Sequence, residues 1–477
     1  MQGTSKHRAT LVAALSACAL FVTLGCWALS SPPYADVDGR FHIASTWCSR
    51  GEAPNVCSYT NGEADNNVLI TPTGIDVQLV NGMEPVRRAS TDQRSLYYRI
   101  VSVFASQNIV ASVLAIRMIN SFIASVIFYF LITLTRNRTR LAVVTAWTFT
   151  VIPTLISTLP QLSTRSWALL GVMSSWAFLH SGLSAGNEEK NRKRLSFVFF
   201  GFTCFLAIST RLDATLFITF SSSVILAVHL FKKVNSLWKN LFLVSVISSI
   251  GYLAISIFVT RVAYFLKIEF PPLYSKQQFL LFMFVHVPEN IFNAVGLGYR
   301  QDDLGPGLIG VIGTSLLVLA IVFAMRNSSK AQTSIFTLYS LMIYFAMYRV
   351  MDFGLQPPPG IYVAALLTSF LGTIVLISST NDFLMSTLTQ RVIIISVLSF
   401  SHLLSLYAKL ENYVREGVYT GTYENLSLSG GWWWNTPIGP NFVFAIGCMS
   451  FTIWLVLSWM TVRDSTTNHS LGAHLRS

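Results

Sequence analysis

Apolar runs of membrane-spanning length constrain this chain more than any other feature of its sequence. About 12 such runs, each of about 20 residues, follow one another along the 477 residues. Only 11% of the residues are charged, against about 25% in an ordinary soluble domain. The hydrophobic fraction of 52% is more than the core of a soluble protein would bury. The sequence therefore predicts an all-α, polytopic integral membrane protein that forms a single domain over residues 1–477.

The apolar runs give the bounds of the predicted spans: 9–30, 111–134, 141–159, 165–185, 195–209, 214–231, 241–265, 307–325, 335–352, 361–379, 391–408 and 441–460. Three connections between spans are long, at 31–110, 266–306 and 409–440, and we expect function there because rigid helices would hold these loops. Within the first, alternation over 67–82 predicts a small hairpin, and helical spacing over 95–106 predicts an interfacial helix.

The distribution of charge predicts the orientation of the spans. The formal net charge of +12 is concentrated at the N-terminus and in short loops on the same side of the membrane. These basic residues include Lys6, Arg8, Arg136, Arg138, Arg140, Lys190, Arg192, Lys193, Arg194, Lys232, Lys233 and Arg326. The positive-inside rule predicts that both termini are cytoplasmic and that the long loops are extracytoplasmic. Because topology explains the charge, the charge does not indicate a nucleic-acid partner.

The first apolar run admits alternative interpretations. A basic start and an apolar stretch ending near Ser30 are also typical of a cleaved secretory signal, and Leu24-Gly25-Cys26 suggests a lipoprotein site. We favour an uncleaved first helix, because the run is long enough to span and the residues before both possible cleavage sites fit them poorly.

Two of the six cysteines lie in the first long loop, whereas the others fall in predicted spans. Cys48 and Cys57 belong to a segment expected to face an oxidising compartment, which predicts a disulfide between them. A reduced pair is the alternative.

The chemistry of this chain must come from a few polar residues. The sequence has no CxxC pair, HExxH motif, Walker loop or GxSxG motif. It therefore lacks the motifs that are typical of zinc hydrolases, nucleotide-driven pumps and serine hydrolases. No metal or cofactor is predicted. Asp36 and Asp38 follow the first span after Ser31-Pro32-Pro33, and an acid held at such a rigid exit is suited to act as a general base. A solvated loop acid is the structural alternative.

Four stretches of the sequence together resemble a known family. They are the segment from Ser31 to His42, Arg117-Met118-Ile119-Asn120, residues 356–364 and residues 413–434. In these stretches the chain is similar to bacterial polytopic membrane proteins that carry a domain of unknown function and are grouped with the GT-C type glycosyltransferases. The resemblance implies a GT-C-like fold, a polyprenyl-phosphate-linked sugar donor and an acidic residue in the first outer loop. We favour Asp38 as that residue, with Asp36 second.

A lipid-phosphate leaving group needs cations at the outer membrane boundary, so arginines near that boundary are candidate substrate-binding residues. Arg117 lies within the second span, where an ionisable residue is functional by default; the alternative is an arginine packed against a loop carboxylate. Arg211 is suited to the same role, with an ion pair to Asp213 as its alternative. The remaining candidates are His42, Arg349, Gln356, Tyr362 and Trp433, the last of which also fits an aromatic belt at the membrane interface.

Together these features predict a membrane glycosyltransferase that moves a sugar from a polyprenyl-phosphate donor to a glycan or glycolipid acceptor of the cell envelope. Asp38 would deprotonate the acceptor hydroxyl, while Arg117 and Arg211 would stabilise the departing phosphate. A transporter or flippase of lipid-linked sugar is one alternative, because transporters often have the same layout of spans, although the two halves of this chain show no repeat. A non-catalytic envelope scaffold is the other.

Overall fold

The computed structural model describes residues 2–33, 39–50, 96–106, 108–151, 153–231, 333–341, 360–377, 388–414, 432 and 438–474. These ranges are almost entirely helical and contain no strand, which confirms the all-α prediction for this part of the chain. The predicted hairpin at 67–82, the long segment 266–306 and the predicted spans at 241–265 and 307–325 lie outside the described residues.

The described ranges form helices that we number in chain order. They are α1 (Gln2–Leu29), α2 (Gly39–Arg50), α3 (Leu96–Val101), α4 (Ile109–Leu134), α5 (Asn137–Thr150), α6 (Pro153–Thr158), α7 (Thr164–Ser184), α8 (Lys190–Thr210), α9 (Leu212–Phe231), α10 (333–341), α11 (Gly360–Ile377), α12 (Leu388–Val414) and α13 (Pro440–His474). Short 3-10 turns, Ser102–Phe104 and Asn187–Glu189, follow α3 and precede α8. α3 confirms a helix within 95–106, whereas α2 is a helix that the sequence did not predict.

Five of these helices are long and apolar enough to cross a membrane, over His7–Leu29, Ile109–Leu134, Lys190–Thr210, Leu388–Glu411 and Pro440–Val462. α9 and α11 are apolar over shorter stretches. Within the part of the chain that the structure describes, the prediction of several apolar helices of spanning length is therefore confirmed, while the number of 12 spans stays a prediction.

α7 differs from these helices because other helices surround it. Its residues from Thr164 to Gly182 are buried almost without exception, and it packs against α4, α8, α9 and α11. It is rich in Ser, Gly and Ala, the small residues that let membrane helices approach closely. A Cβ atom at Gly171 would lie only 2.6 Å from that of Ala207, so α7 and α8 are in direct contact there.

The predicted span 141–159 is not one continuous helix. The sequence predicts a single helix over 141–159, whereas α5 ends at Thr150 and α6 begins at Pro153. Proline lacks the main-chain N–H that a continuing helix needs, and it disfavours the helical conformation in the residue before it. The helix therefore stops ahead of Pro153. Two other helices are longer than predicted, because α12 continues to Val414 and α13 to His474.

α1 and α13 pack against each other in opposite directions. The hydroxyl oxygens of Ser16 and Ser458 are 2.8 Å apart and those of Thr23 and Ser450 are 2.9 Å apart, so residue numbers rise in α1 as they fall in α13. The C-terminal end of α1 therefore lies beside the start of α13, at what we call the exit end of the bundle. The N-terminal end of α1 and the C-terminal part of α13 lie together at the opposite end, the terminal end.

Arg138 and Arg140, two of the basic residues that predict a cytoplasmic loop, donate hydrogen bonds to main-chain carbonyls in or just after three helices at the terminal end. Arg138 Nε donates to the carbonyl of Val375 in the last turn of α11, 3.1 Å away. Arg140 donates to the carbonyl of Thr135 just after α4 (2.9 Å) and to that of Thr461 in α13 (3.3 Å). Cations are favoured beside the negative ends of helix dipoles. This basic loop therefore stabilises the fold in addition to carrying the charge that predicts orientation.

Candidate functional site

The structure describes the side chains of three predicted site residues, His42, Arg117 and Arg211, and all three lie at the exit end. Only the backbone is described for Tyr362, in α11, and for Cys48, in α2. The predicted residues outside the described ranges are Asp36, Asp38, Cys57, Arg349, Gln356 and Trp433. The proposed disulfide and the choice between the two acids therefore stay predictions.

Arg117 in α4 is buried, with 1% of its surface exposed. Its Nη1 donates to the carbonyls of Ala28 (2.8 Å) and Ser31 (2.7 Å), and its Nη2 donates to that of Pro32 (3.0 Å). A longer contact joins Nη2 to the carbonyl of Pro33 (3.5 Å). The last carbonyls of a helix have no partners within the helix, and a cation is favoured beside them. Arg117 thus caps α1 and fixes the turn that follows it.

This arrangement explains why Ser-Pro-Pro follows the first span. Each proline fixes its own φ angle and carries no N–H, so Pro32 and Pro33 end the helix and present only carbonyl oxygens. The guanidinium of Arg117 satisfies these oxygens in a buried environment, where leaving them unmatched would be costly. Since its donors are directed at the main chain, Arg117 is better suited to position this segment than to bind substrate.

His42 lies on α2 and is also buried. Its Nδ1 is 2.6 Å from the hydroxyl of Tyr98 in α3, and the centroids of the two rings are 6.0 Å apart. Further along α2, Trp47 donates from Nε1 to the carbonyl of Ser106 (3.0 Å). These bonds anchor α2 to the segment that leads into α4.

The imidazole of His42 is neutral at physiological pH. Burial, and after it the positive charges of Arg165 and Arg211, lower the pKa of His42 from 6.5 to about 3. A neutral imidazole offers one donor and one acceptor for hydrogen bonds and adds no charge. The arginines therefore supply the positive charge on this side of the exit end.

The lowered pKa of His42 predicts that acid destabilises the fold. In the unfolded chain an imidazole binds a proton below about pH 6.5, whereas in the folded protein His42 stays neutral until the pH approaches about 3. Its contribution to stability is thus complete above the unfolded pKa and is lost as the pH falls through this window, because the unfolded state binds the extra proton. Thermal unfolding of wild type and His42→Gln measures this over the same window. The wild type should lose more stability than the variant, and equal losses would contradict the assignment.

A buried hydrogen-bond network surrounds Asn120 in α4. Its Nδ2 donates to the carbonyl of Gln161 (2.7 Å) and to the hydroxyl of Tyr97 (3.2 Å), while its Oδ1 accepts from Nε1 of Trp167 (2.9 Å). The Tyr97 oxygen also accepts from the main-chain N–H of Ser163 (3.1 Å). The network joins α3, α4 and the start of α7, and a fully bonded buried network holds its members in one arrangement. In the sequence, Asn120 stands out only because it belongs to one of the four stretches that resemble the GT-C-related family. No sequence pattern predicts a role for Tyr97 or Trp167.

Two half-buried arginines, Arg165 and Arg211, act on His42 through their positive charge. Arg165 is in the first turn of α7, and Arg211 lies between α8 and α9. Both positive charges act on His42 and lower its pKa. Guanidinium groups beside the N-terminal end of a long helix favour an anion, and phosphate matches their paired donors. The sequence predicts a role for Arg211, with Asp213 as its alternative partner, whereas Arg165 is only the first residue of the predicted span 165–185.

Glu411 in α12 is a fully buried carboxylate, with 0% of its surface exposed, that the sequence did not bring to attention. The rings of Tyr407 and Phe444 are 5.8 Å apart between α12 and α13, and continuing this antiparallel register by one turn places Glu411 level with Pro440, where α13 begins. The N-terminal end of a helix favours negative charge. A buried acid at the exit end is a further candidate for function.

Neither a metal site nor a known relative assigns a function to the exit end. In the ranges that the structure describes, no group of three or more His, Cys, Asp or Glu side chains could hold a metal ion. The chemistry of the exit end is therefore the basis for inferring function. No family model, curated protein or solved structure matches this chain.

Proposed function

We propose that the protein is a membrane glycosyltransferase of the GT-C type, which transfers a sugar from a polyprenyl-phosphate donor to a glycan or glycolipid acceptor of the cell envelope. The observation that carries the proposal is that the chain is anchored on both sides of the segment 34–38. Arg117 binds the carbonyls just before this segment, and Tyr98 binds His42 shortly after it. Two arginines suited to phosphate, Arg165 and Arg211, act on the same histidine through their positive charge.

Chain geometry limits how far the two predicted acids lie from these anchors. An extended chain covers at most about 3.6 Å per residue, so Asp36 is within roughly 11 Å of Pro33. Asp38 directly precedes Gly39, the first residue of α2, and consecutive Cα atoms are about 3.8 Å apart. These limits support a role for either carboxylate at the exit end.

In the proposed reaction Asp38 takes the proton of an acceptor hydroxyl. The hydroxyl oxygen forms a bond to the anomeric carbon of the donor sugar while the bond from that carbon to the lipid phosphate breaks. The leaving phosphate keeps the electron pair, and Arg211 and Arg165 stabilise its negative charge. Asp36 is the second candidate for the base, and Arg117 holds the backbone that precedes both acids. The proposed substrate-binding residues are His42, Arg349, Gln356, Tyr362 and Trp433.

The proposed reaction takes place at the outer leaflet of the inner membrane. This location requires the exit end to face outward and both termini to be cytoplasmic. Support comes from the basic residues 136–140, which lie at the terminal end, because short loops rich in Lys and Arg remain in the cytoplasm.

Removing either phosphate-binding arginine should slow the proposed transfer. We expect Arg165→Gln and Arg211→Gln each to lower kcat/KM for the donor by about 10²-fold, because each removes a cation that meets charge developing in the transition state. Arg194→Gln, which changes an exposed arginine of α8, is the matched control and should retain wild-type activity. Wild-type kcat/KM in both exit-end variants would contradict their assignment to the phosphate.

The proposed activity is tested with the purified chain in lipid and a panel of polyprenyl-phosphate sugars. We expect release of polyprenyl phosphate from at least one donor, with the sugar transferred to an envelope glycan or glycolipid. If labelled lipid-linked sugar crosses the bilayer without release of polyprenyl phosphate, the protein is a flippase. If neither release nor crossing occurs, the result favours the scaffold and contradicts the transferase.

A further inference from the structure

A cluster of positive charge lies at the terminal end, where the loop after α4 meets the start of α8. Arg136 of that loop and Arg192 of α8 both form ion pairs with the carboxylate of Glu189, so one acid joins the two segments. Lys190 and Lys193 are exposed in the same turn of α8 as Arg192. We call Arg136, Lys190, Arg192 and Lys193 the basic cluster.

The basic cluster has more positive charge than the acids beside it in the chain neutralise. Its four cations are accompanied by two carboxylates, Glu188 and Glu189, in the turn before α8, and two of the cations share Glu189. The first turn of α8 contains no acid, and the N-terminal end of a helix disfavours positive charge. Arg138 and Arg140, by contrast, reach main-chain carbonyls of other helices. The basic cluster therefore favours an additional anion.

An exposed apolar face of α8 begins next to the basic cluster. α8 is the least buried of the five helices of spanning length. The residues that follow Lys193 on the same side of the helix are Phe197, Gly201, Phe205 and Ile208. The three large side chains expose 37, 48 and 44% of their surface, and a Cβ atom at Gly201 would meet nothing within 4 Å. At about 1.5 Å per residue this face is roughly 22 Å long, which exceeds half of a hydrocarbon core of about 30 Å.

The order of charge and apolar surface along α8 identifies the ligand. A soluble anion matches the basic cluster alone, and a neutral lipid matches the apolar face alone. An anionic phospholipid matches both, because its charged headgroup and its acyl chains follow one another in the same order, and basic residues beside membrane helices attract such headgroups. A second copy fits less well, because two-fold packing on α8 would bring the basic clusters of both copies together, and like charges repel.

We propose that the basic cluster and the exposed face of α8 bind an anionic phospholipid from the leaflet at the terminal end. The headgroup phosphate accepts from Lys190 and Lys193, and the acyl chains follow α8 past Gly201. Arg194 is also exposed, but it lies about 140° around the helix from Glu189 and so outside the basic cluster. This inference is independent of the proposed glycosyltransferase activity.

Native mass spectrometry of the full chain in detergent tests the proposal, because it counts the lipids that each protein molecule retains. Titration with phosphatidylglycerol, and with phosphatidylcholine as the neutral comparison, gives an affinity for each lipid. We expect phosphatidylglycerol to bind at least about 10-fold more tightly. Excess inorganic phosphate, which has no acyl chains, should not displace it. Equal affinities for the two lipids, or displacement by phosphate, would overturn the proposal.

Two double variants distinguish a site from general attraction between opposite charges. Lys190→Gln/Lys193→Gln removes two exposed cations and keeps the ion pairs of Glu189, so the affinity for phosphatidylglycerol should fall about 10-fold or more. Arg8→Gln/Arg194→Gln removes two exposed cations from the same end of the bundle and should change the affinity by about 2-fold or less. Equal losses in the two double variants would overturn the assignment of the basic cluster. Thermal unfolding of both variants confirms that they are folded.

Discussion

Replacing Arg117 with methionine should lower the free energy of unfolding by on the order of 3 kcal/mol or more. Methionine keeps an apolar stem but leaves the buried carbonyls of Ala28, Ser31 and Pro32 without their donor. Denaturant-induced unfolding of the purified chain, followed by tryptophan fluorescence, measures the loss. The variant should also lose transferase activity, because the segment before the predicted acids is no longer held.

Two further substitutions distinguish the loss of the Arg117 cap on α1 from the general effect of removing an arginine. Arg194→Met changes an exposed arginine of α8 and should alter stability by about 0.5 kcal/mol or less. Arg117→Lys keeps the charge but loses the planar fork that reaches several carbonyls at once, so its stability should fall between wild type and Arg117→Met. Equal stability of Arg117→Met and Arg194→Met would show that Arg117 does not cap α1.

Replacing Gly372 with alanine should destabilise the bundle by on the order of 1–3 kcal/mol. A Cβ atom at Gly372 in α11 would overlap the ring of Trp176 in α7, with three ring atoms within 2.7 Å. The ring is fully buried and its Nε1 is bonded to the carbonyl of Met173, so it has no free space into which to move. The same unfolding measurement detects the change.

Gly201→Ala is the matched control for this prediction. Gly201 also lies within a helix, but a Cβ atom there would meet nothing within 4 Å. Alanine is the better helix former by up to about 1 kcal/mol, so Gly201→Ala should be neutral or stabilising. If both glycine variants unfold alike, the close approach of α7 and α11 at Trp176 is wrong.

The helices were largely predictable from sequence because a lipid-facing surface must be apolar over its whole length. α1, α4 and α13 begin and end near the predicted bounds, apart from the polar extensions of α1 and α13. The single span predicted over 141–159 was wrong because hydropathy does not take into account that Pro153 interrupts a helix. The central position of α7 was equally hidden, since its small and polar residues are explained only by the helices around it.

The candidate site was predictable only in part. Arg117 and His42 were identified because charged and titratable residues are conspicuous in an apolar chain. The partners of Arg117 are main-chain carbonyls, which carry no residue-specific signal. Arg165 and Glu411 were missed because each lies at a predicted span end, where a charged residue is ordinary; their significance comes from tertiary neighbours and burial.

The most direct test of the proposed function is single-turnover release of polyprenyl phosphate by wild type, Asp38→Asn and Asp36→Asn in lipid, with donor binding measured for each. Asparagine is as good as aspartate in the position before a helix, so Asp38→Asn should preserve the start of α2 while removing the base. We predict that Asp38→Asn binds the donor and releases no polyprenyl phosphate, whereas Asp36→Asn retains activity. Release at the wild-type rate by both variants would contradict the proposal that an acid of this segment is the catalytic base.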